Sequence, residues 1–378
     1  MPLGRQDRGS SRHGKTDRGI IMVGREDPIE FVPFKSLDLA DPFFDSLRNS
    51  YTQFDDWFQR KARDEEYTYI VASKKGISAM LYLKEERDTD TGTQPHLRKP
   101  RLKIGTFKVD FSHHTSVGKR LLAVALRKFA ESRLDYVYVT MFDGNNTRAL
   151  RGLLENYGFK LRGSKGGEIL LIKRRPKPEQ TLNPSHDFPF IKPNQGKNYI
   201  LAIKPEYHDR LFGDTLLEQQ TGTPITDDKV VNTIEKIYLS GSQNCDLLNS
   251  GDHIISYRTR DPHSAAPAYY SSVISSVGTI IDVKAISSFA NVKEFLDYIR
   301  GRSVFSDAEL RHFYSGRRYP WIITFLYNFR FSAYPPRKAL LDNSIISDND
   351  RIVCEPITKT AFRQILKLGD VDEGFILN

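Results

Sequence analysis

The run from Lys103 to Phe159 constrains this chain more than any other. It begins with an extended segment, Lys103-Ile104-Gly105-Thr106-Phe107-Lys108-Val109, followed by a polar loop, Ser112-His113-His114-Thr115-Ser116-Val117-Gly118. A helix-like run comes next, from Lys119-Arg120-Leu121 to Leu126. A second strand pattern, Tyr136-Val137-Tyr138-Val139-Thr140, leads through Asn145-Asn146 into a second helix that closes at Tyr157-Gly158-Phe159. Strand, turn and helix start together hold phosphate well. The first backbone N–H groups of a helix have no partner within it, and the helix dipole favours negative charge there. The run therefore predicts an anion site at the loop before Lys119.

The flanking sequence completes an alternating pattern. Ile29 to Phe34 reads as a strand, and Asp38 to Arg63 as helical. Phe43, Phe44, Leu47, Phe54, Trp57 and Phe58 fall at near-helical spacing there and are expected to be core. Tyr67–Ala72 and Ile77–Leu83 read as a hairpin around Ser73-Lys74-Lys75-Gly76. Glu85 to Lys99 is charged and turn-rich, and is expected to be an exposed loop. Glu168–Lys173 supplies a closing strand. Mixed pairing with helices on both faces is an α/β expectation.

Beyond this lies a different signal. Arg174 to Lys197 carries five prolines among polar residues and reads as a linker. Structure restarts at Tyr199–Ile203, with a helix through Leu211. Val230–Ile237 is expected to be helical, running into Tyr238-Leu239. Further strands are expected at His253–Arg258, Tyr270–Val283 and Trp321–Phe329. Short helices are expected at Val292–Arg300 and Ala361–Leu366. Short strands with peripheral helices suggest a small barrel.

Charge narrows the partners. The 378 residues carry 56 Lys+Arg against 47 Asp+Glu, a net +9, which suits a polyanion such as nucleic acid or a CoA-type phosphate. Residues 1–24 read as a disordered basic tail, with Arg5, Arg8, Arg12, Lys15 and Arg18 spread through it. No apolar run approaches the ~20 residues of a membrane span. The first residues lack the basic-then-apolar order of a secretory signal. Cys245 and Cys354 are far apart and form neither a zinc spacing nor a disulfide framework, so no metal is expected, and a cytoplasmic location is.

The order and motifs of the first half resemble the GNAT acyltransferase superfamily. In that family a strand carries a bulge, and the next helix opens with Arg/Gln-x-x-Gly-x-Gly/Ala, whose loop amides hold the CoA pyrophosphate. That motif falls here on His113-His114-Thr115-Ser116-Val117-Gly118, with Gly118 matching and His113 and Ser116 departing. Backbone N–H groups do the holding, so the departures are tolerable; Ser116 or Thr115 supplies a hydroxyl, and Lys119 and Arg120 supply charge. The resemblance implies acetyl-CoA as acyl donor. It implies a site built from Phe107, Val109, His113, His114, Thr115, Ser116, Val117, Gly118, Lys119, Arg120 and Asn146. Asn145 or Asn146 either caps the helix or bonds the pantetheine.

The second landmark, Asn-x-x-Ala to Gly-Phe, reads Asn146 to Phe159. Many relatives place a Tyr four residues before that Gly to protonate the departing thiolate. Here the position is Leu154, which has no proton to give. Tyr157 is the nearest phenol. Asp110 and Glu85, near strand ends, are the candidate bases.

The later part resembles a PUA-like barrel of the ASCH/EVE type. The resemblance is carried by Ile200–Tyr207 with its Lys204-Pro205, by Ser250-Gly251-Asp252 before a strand, and by Val277–Val283. Such domains often bind RNA, which implies phosphate and stacking roles for Lys204, Tyr257, Arg258, Arg260, Arg302 and Arg317. The implied architecture is a GNAT-like α/β domain (25–173), a Pro-rich linker (174–197) and a PUA-like small β-barrel with peripheral helices (198–378). Such pairings occur among bacterial toxin–antitoxin proteins. The implied functions are acetylation of an RNA-linked amine such as an aminoacyl-tRNA, acetylation of a protein lysine or small amine, or CoA binding without catalysis. An antitoxin protein is an implied partner, and a membrane is not.

Overall fold

A computed structural model of the chain describes residues 28–73, 76–87, 92–110, 116–212, 233–299 and 302–378. The expected basic tail, residues 1–24, lies outside the described residues.

The first sheet comprises β1 (Ile29–Pro33), β2 (Tyr67–Ser73), β3 (Gly76–Glu86), β4 (Arg101–Val109), β5 (Tyr136–Met141), β6 (Lys160–Lys165) and β7 (Glu168–Arg174). Its spatial order is β1-β2-β3-β4-β5-β7-β6. β4 and β5 run parallel, and the other neighbours antiparallel. A parallel pair needs a crossover, supplied by α3 (Ser116–Ser132). Alternation along the strands divides the two faces. Ile70, Met80 and Tyr82 meet Phe34, Phe44, Phe54 and Phe58 beside α1 (Asp45–Ser50) and α2 (Phe54–Arg63), so the aromatic stripe is core. Leu81, Ile104, Val137 and Val139 meet Leu121, Leu122 and Leu126 of α3 and Leu154 of α4 (Arg148–Asn156).

The second sheet contains β8 (Asn198–Ile203), β9 (Glu235–Ser240), β10 (His253–Arg258), β11 (Val273–Ala285), β12 (Trp321–Arg330) and β13 (Cys354–Ile357), in the order β13-β8-β10-β11-β12-β9. Around it lie α5 (Pro205–Phe212), α6 (Ala268–Ser271), α7 (Val292–Ile299), α8 (Asp307–Gly316), α9 (Arg337–Asp342) and α10 (Lys359–Leu368). The Tyr238 hydroxyl on β9 donates to Ala202 O on β8 at 3.4 Å. In a flat sheet those strands would stand about 19 Å apart, at ~4.8 Å per strand. The sheet is therefore curled into a barrel, filled by Leu201, Ile203, Ile254, Ile280, Ile323 and Phe325. The first sheet thus has the mixed α/β form that the GNAT resemblance implied. The second has the barrel-with-helices form of the PUA-like resemblance.

α3 joins the two. Leu121, Leu122, Ala123, Ala125, Leu126, Phe129 and Ala130 are fully buried, so the helix is covered nearly all round. Its outer side meets the second half of the chain. Phe329, Phe331, Leu366 and Phe375 belong to the same core, and the Arg127 guanidinium donates to Tyr327 O at 2.6 Å and Asn328 O at 3.1 Å. The segment expected to be a linker contributes to this packing through Phe188, Phe190 and Ile191, all buried, while Asn328 donates to Pro189 O at 3.1 Å.

Three local expectations are corrected. The helix expected at Val230–Ile237 is strand from Glu235 onward, because β9 pairs with β12 from Glu235↔Leu326 to Ser240↔Trp321; residues 230–232 lie outside the described residues. β6 was not expected at all, since Lys160-Leu161-Arg162-Gly163-Ser164-Lys165 is a polar edge strand with little alternation. The loop expected at Glu85–Lys99 is only partly exposed. β3 extends to Glu86, Thr93 and Leu97 are buried, and Gln94 bridges to Ser164 on β6; residues 88–91 lie outside the described residues.

Candidate active site

The site begins with a bulge. β4 pairs with β3 from Arg101↔Glu86 to Val109↔Ala79, but the register slips where Tyr82 faces Thr106 and Leu83 faces Ile104. Gly105 is the extra residue. A Cβ on it would stand 2.7 Å from Tyr82 Cδ1, so only glycine fits without moving that ring. β4 pairs with β5 only at Leu102–Ile104, opposite Val137–Val139. Past the bulge the two parallel strands part, and Thr106–Val109 have no ladder partner on β5. Crevices beyond the carboxyl ends of parallel strands are where open α/β sheets bind ligands. This crevice is flanked by α3 and α4.

Phe107 and Val109 lie half-buried along the parted stretch of β4. His113, His114 and Thr115 lie outside the described residues, as does the side chain of Ser116, which opens α3. Val117 is buried in the core, so only its backbone is available to a ligand. Gly118 sits inside α3, where a Cβ would meet Leu153 Cδ2 at 3.4 Å and Val109 Cγ2 at 3.9 Å. Both are ordinary contact distances, so an alanine would fit between α4 and β4 at this position, while a bulky side chain would not. Lys119 Nζ lies 3.2 Å from Glu235 Oε1, and Arg120 is fully buried.

Asn146 is exposed between β5 and α4, and Asn145 accepts from Arg148 at 3.2 Å. Neither asparagine caps α4. The cap position is Thr147, whose hydroxyl donates to Phe142 O at 2.6 Å and accepts from Gly144 N at 3.1 Å. Beside this loop a depression of about 530 Å³ is lined by Gly144, Asn145, Arg148, Arg151 and Glu155. Arg151 is held between Asp143 at 2.6 Å and Glu155 at 2.9 Å. Arg148 and Arg151 escaped the motif comparison. The signal was there, since two arginines near the start of a helix oppose its dipole.

The proton-transfer candidates separate. Leu154 is fully buried. Tyr157 is 3% exposed, and its hydroxyl donates to Glu235 Oε1 at 3.1 Å. Burial, and then the Glu235 carboxylate, push its pKa well above the ordinary tyrosine value. Glu85 is exposed beside Arg87, opposite Leu102, where β4 and β5 are still joined, so it stands away from the parted end. Asp110 is exposed just past Val109, with its N–H donating to Ser78 O at 2.8 Å.

A further group was not foreseen. Tyr51, between α1 and α2, donates to Glu168 Oε1 at 2.7 Å, and its ring centroid lies 5.5 Å from that of Phe142, tilted by 36°. The Met141↔Ile169 pairing sets Glu168 beside the end of β5. Tyr51 and Phe142 are 39% and 41% exposed, an aromatic pair open to solvent beside a carboxylate. No periodicity marks a tyrosine in a short interhelical turn.

In the second half, Tyr257 is 4% exposed and presents no free face to a base. Arg258 is bound twice to Asp209, at 2.8 Å each. Arg302 faces Glu235 at 3.5 Å and lies 4.7 Å from the Tyr298 ring. Lys204, Arg260 and Arg317 are exposed, but on separate elements: before α5, after β10 and at the end of α8.

No family model matches the chain, and no curated protein matches it. Among solved structures it is similar to PaiA N-acetyltransferase from Thermoplasma acidophilum in complex with coenzyme A. That match has 14% identity, covers 39% of this chain and 98% of that one, and has a TM-score of 0.28. It is similar to a mutant of the ZmASCH protein from Zymomonas mobilis at 10% identity, over 46% of this chain and 96% of that one, with a TM-score of 0.29. It is also similar to a mutant of the toxin AtaT bound to the C-terminus of the antitoxin AtaR. There the identity is 11%, over 39% of this chain and 92% of that one, with a TM-score of 0.27.

Proposed function

We propose that this chain is an acetyl-CoA-dependent N-acetyltransferase acting on an amine carried by RNA, with an aminoacyl-tRNA as acceptor. The parting of β4 and β5 at the Gly105 bulge supports this reading most directly. The backbone at the head of α3 binds the pyrophosphate, and Arg148, bonded to the neutral Asn145 side chain, adds positive charge beside α4, whereas Arg151 is already matched by Asp143 and Glu155. The unpaired edge at Thr106–Val109 takes the amide groups of the pantetheine as a neighbouring strand would. An aminoacyl α-amine has a pKa near ~8, so a fraction is already neutral at physiological pH. Glu168, oriented by Tyr51, accepts the proton the amine loses. Leu154 has no proton for the departing thiolate, so water supplies it.

Lys204, Arg260 and Arg317 hold the RNA body. Acetylation of charged tRNA would restrain translation, with an antitoxin-like protein as the partner that restrains the enzyme. A protein lysine or small amine is the alternative acceptor. One observation favours a second reading, a CoA-binding domain without catalysis. Leu154 and Tyr157 are both buried, and the Tyr157 phenol is engaged by Glu235.

Calorimetric titration with acetyl-CoA, with Gly118→Trp as the non-binding control, tests the donor. Radiolabelled acetyl transfer in a whole-cell extract tests the acceptor. Label on charged tRNA, with a steep salt dependence, is expected. Label on bulk protein alone defeats the RNA acceptor. Binding without any turnover leaves the second reading.

A further inference from the structure

Glu235 opens β9, the strand at one edge of the second sheet, yet its carboxylate serves the first. One oxygen, Oε1, accepts from Lys119 Nζ at 3.2 Å and from the Tyr157 hydroxyl at 3.1 Å. The other, Oε2, faces Arg302 Nη1 at 3.5 Å. Lys119 belongs to α3, and Tyr157 is the C-cap of α4. A single carboxylate oxygen therefore ties together the two helices that flank the crevice between β4 and β5. Gly118 against Leu153 is a second α3–α4 contact, and it is apolar. Burial alone would push the Glu235 carboxyl pKa up, but Lys119, Tyr157 and Arg302 outweigh it and hold it below the usual glutamate value. The group is thus charged and fully engaged.

We propose that Glu235 is a positioning residue for the acyl-CoA cleft: a carboxylate delivered by the second sheet fixes the spacing of α3 and α4, so the cleft in the first sheet is complete only with the second sheet in place. This rests on the acyl-CoA reading. It gives the barrel a role at the donor site, separate from any RNA contact. Helix side chains lean toward the helix N-terminus, so holding Lys119 also fixes charge near the head of α3.

The test uses the full chain and acetyl-CoA itself. Glu235→Gln keeps the size of the side chain and a partner for Tyr157, but removes both ion pairs. Calorimetry is expected to show the acetyl-CoA Kd raised about fivefold, the scale of a partly buried ion pair. Tyr157→Phe removes one hydroxyl and is expected to raise Kd about twofold, by a weaker hydrogen-bond loss. The double variant is expected to lose less than the sum of the two single losses, because an amide oxygen holds the Tyr157 hydroxyl more weakly than the carboxylate does, so less is left for Tyr157→Phe to remove. A Kd unchanged in Glu235→Gln, or additive losses in the double variant, overturns the proposal. Tighter binding overturns it too, since the carboxylate would then compete with the ligand's phosphates for Lys119. If Glu235→Gln does not fold by circular dichroism, Tyr157→Phe decides: a raised Kd supports the tie, and an unchanged one overturns it. A parent chain that binds no acetyl-CoA defeats the acyl-CoA reading and this proposal with it, whereas a parent that binds beside an unaffected variant defeats this proposal alone.

Discussion

Lys173 lies fully inside the first half of the chain, where its ammonium donates to Tyr157 O at 2.8 Å and to His186 O. Burial pulls its pKa from 10.5 down to about 7. The folded chain then binds fewer protons than the unfolded chain between those two values, so stability rises with pH across that window. His253 behaves alike at lower pH. Burial takes it from 6.5 to about 4, and stability is lost as pH falls through that range. Denaturant unfolding at the two ends of the Lys173 window should show a higher midpoint at alkaline pH, and Lys173→Met should flatten that difference. Leu154 yields a second expectation. It is fully buried among α3 and α4 side chains, so Leu154→Tyr overpacks the core and should cost about 1–3 kcal/mol in equilibrium unfolding without raising turnover. That leucine was legible in the sequence only as a departure from the motif the chain resembles. Its burial was not, because the face a helical residue presents is decided by what packs on it.

At the scale of elements, the strand–helix–strand–helix run was legible because each member carries its own pattern. α3 reads from its apolar run, β5 from Tyr136–Thr140, and α4 from the residues leading to Gly158. What failed were elements defined by their partners. β9 is a strand because β12 lies beside it, and β6 is an edge strand with few apolar residues of its own. The same limit hid the exposed group of Tyr51, Phe142 and Glu168, which come from three separate elements. The bulge in β4 is the element-level feature with the sharpest test. Gly105→Val would drive a side chain into Tyr82, whose hydroxyl donates to Glu66 at 2.6 Å. Straightening β4 should rejoin it to β5. The expected outcome is a folded chain by circular dichroism that has lost acetyl-CoA binding by calorimetry.

Across the whole molecule, the residues between the sheets are packed rather than slack, and one core runs from β3 through α3 to α10. Neither half is then expected to behave well alone. Residues 28–174 expressed separately would expose the outer side of α3, and residues 198–378 would expose Phe329, Phe331 and Phe375. The intact chain should unfold in a single calorimetric transition, whereas each fragment should aggregate or bind a hydrophobic dye. Two separable transitions in the intact chain would contradict this account. The sequence marked two kinds of β signal and so suggested two units. It carried no sign that they share a helix, since the burial of α3 on both sides depends on strands nearly two hundred positions away.

The burial of α3 also sets a schedule for synthesis. The helix ends at Ser132, but β12, which receives Arg127, is not finished until Arg330. At ~5–20 residues per second, a ribosome needs roughly 10–40 s to cover that distance. Through that interval the outer face of α3, with Phe129 among its side chains, waits in water for its cover. A nascent chain of this kind has reason to meet a holding chaperone before it meets its own second half.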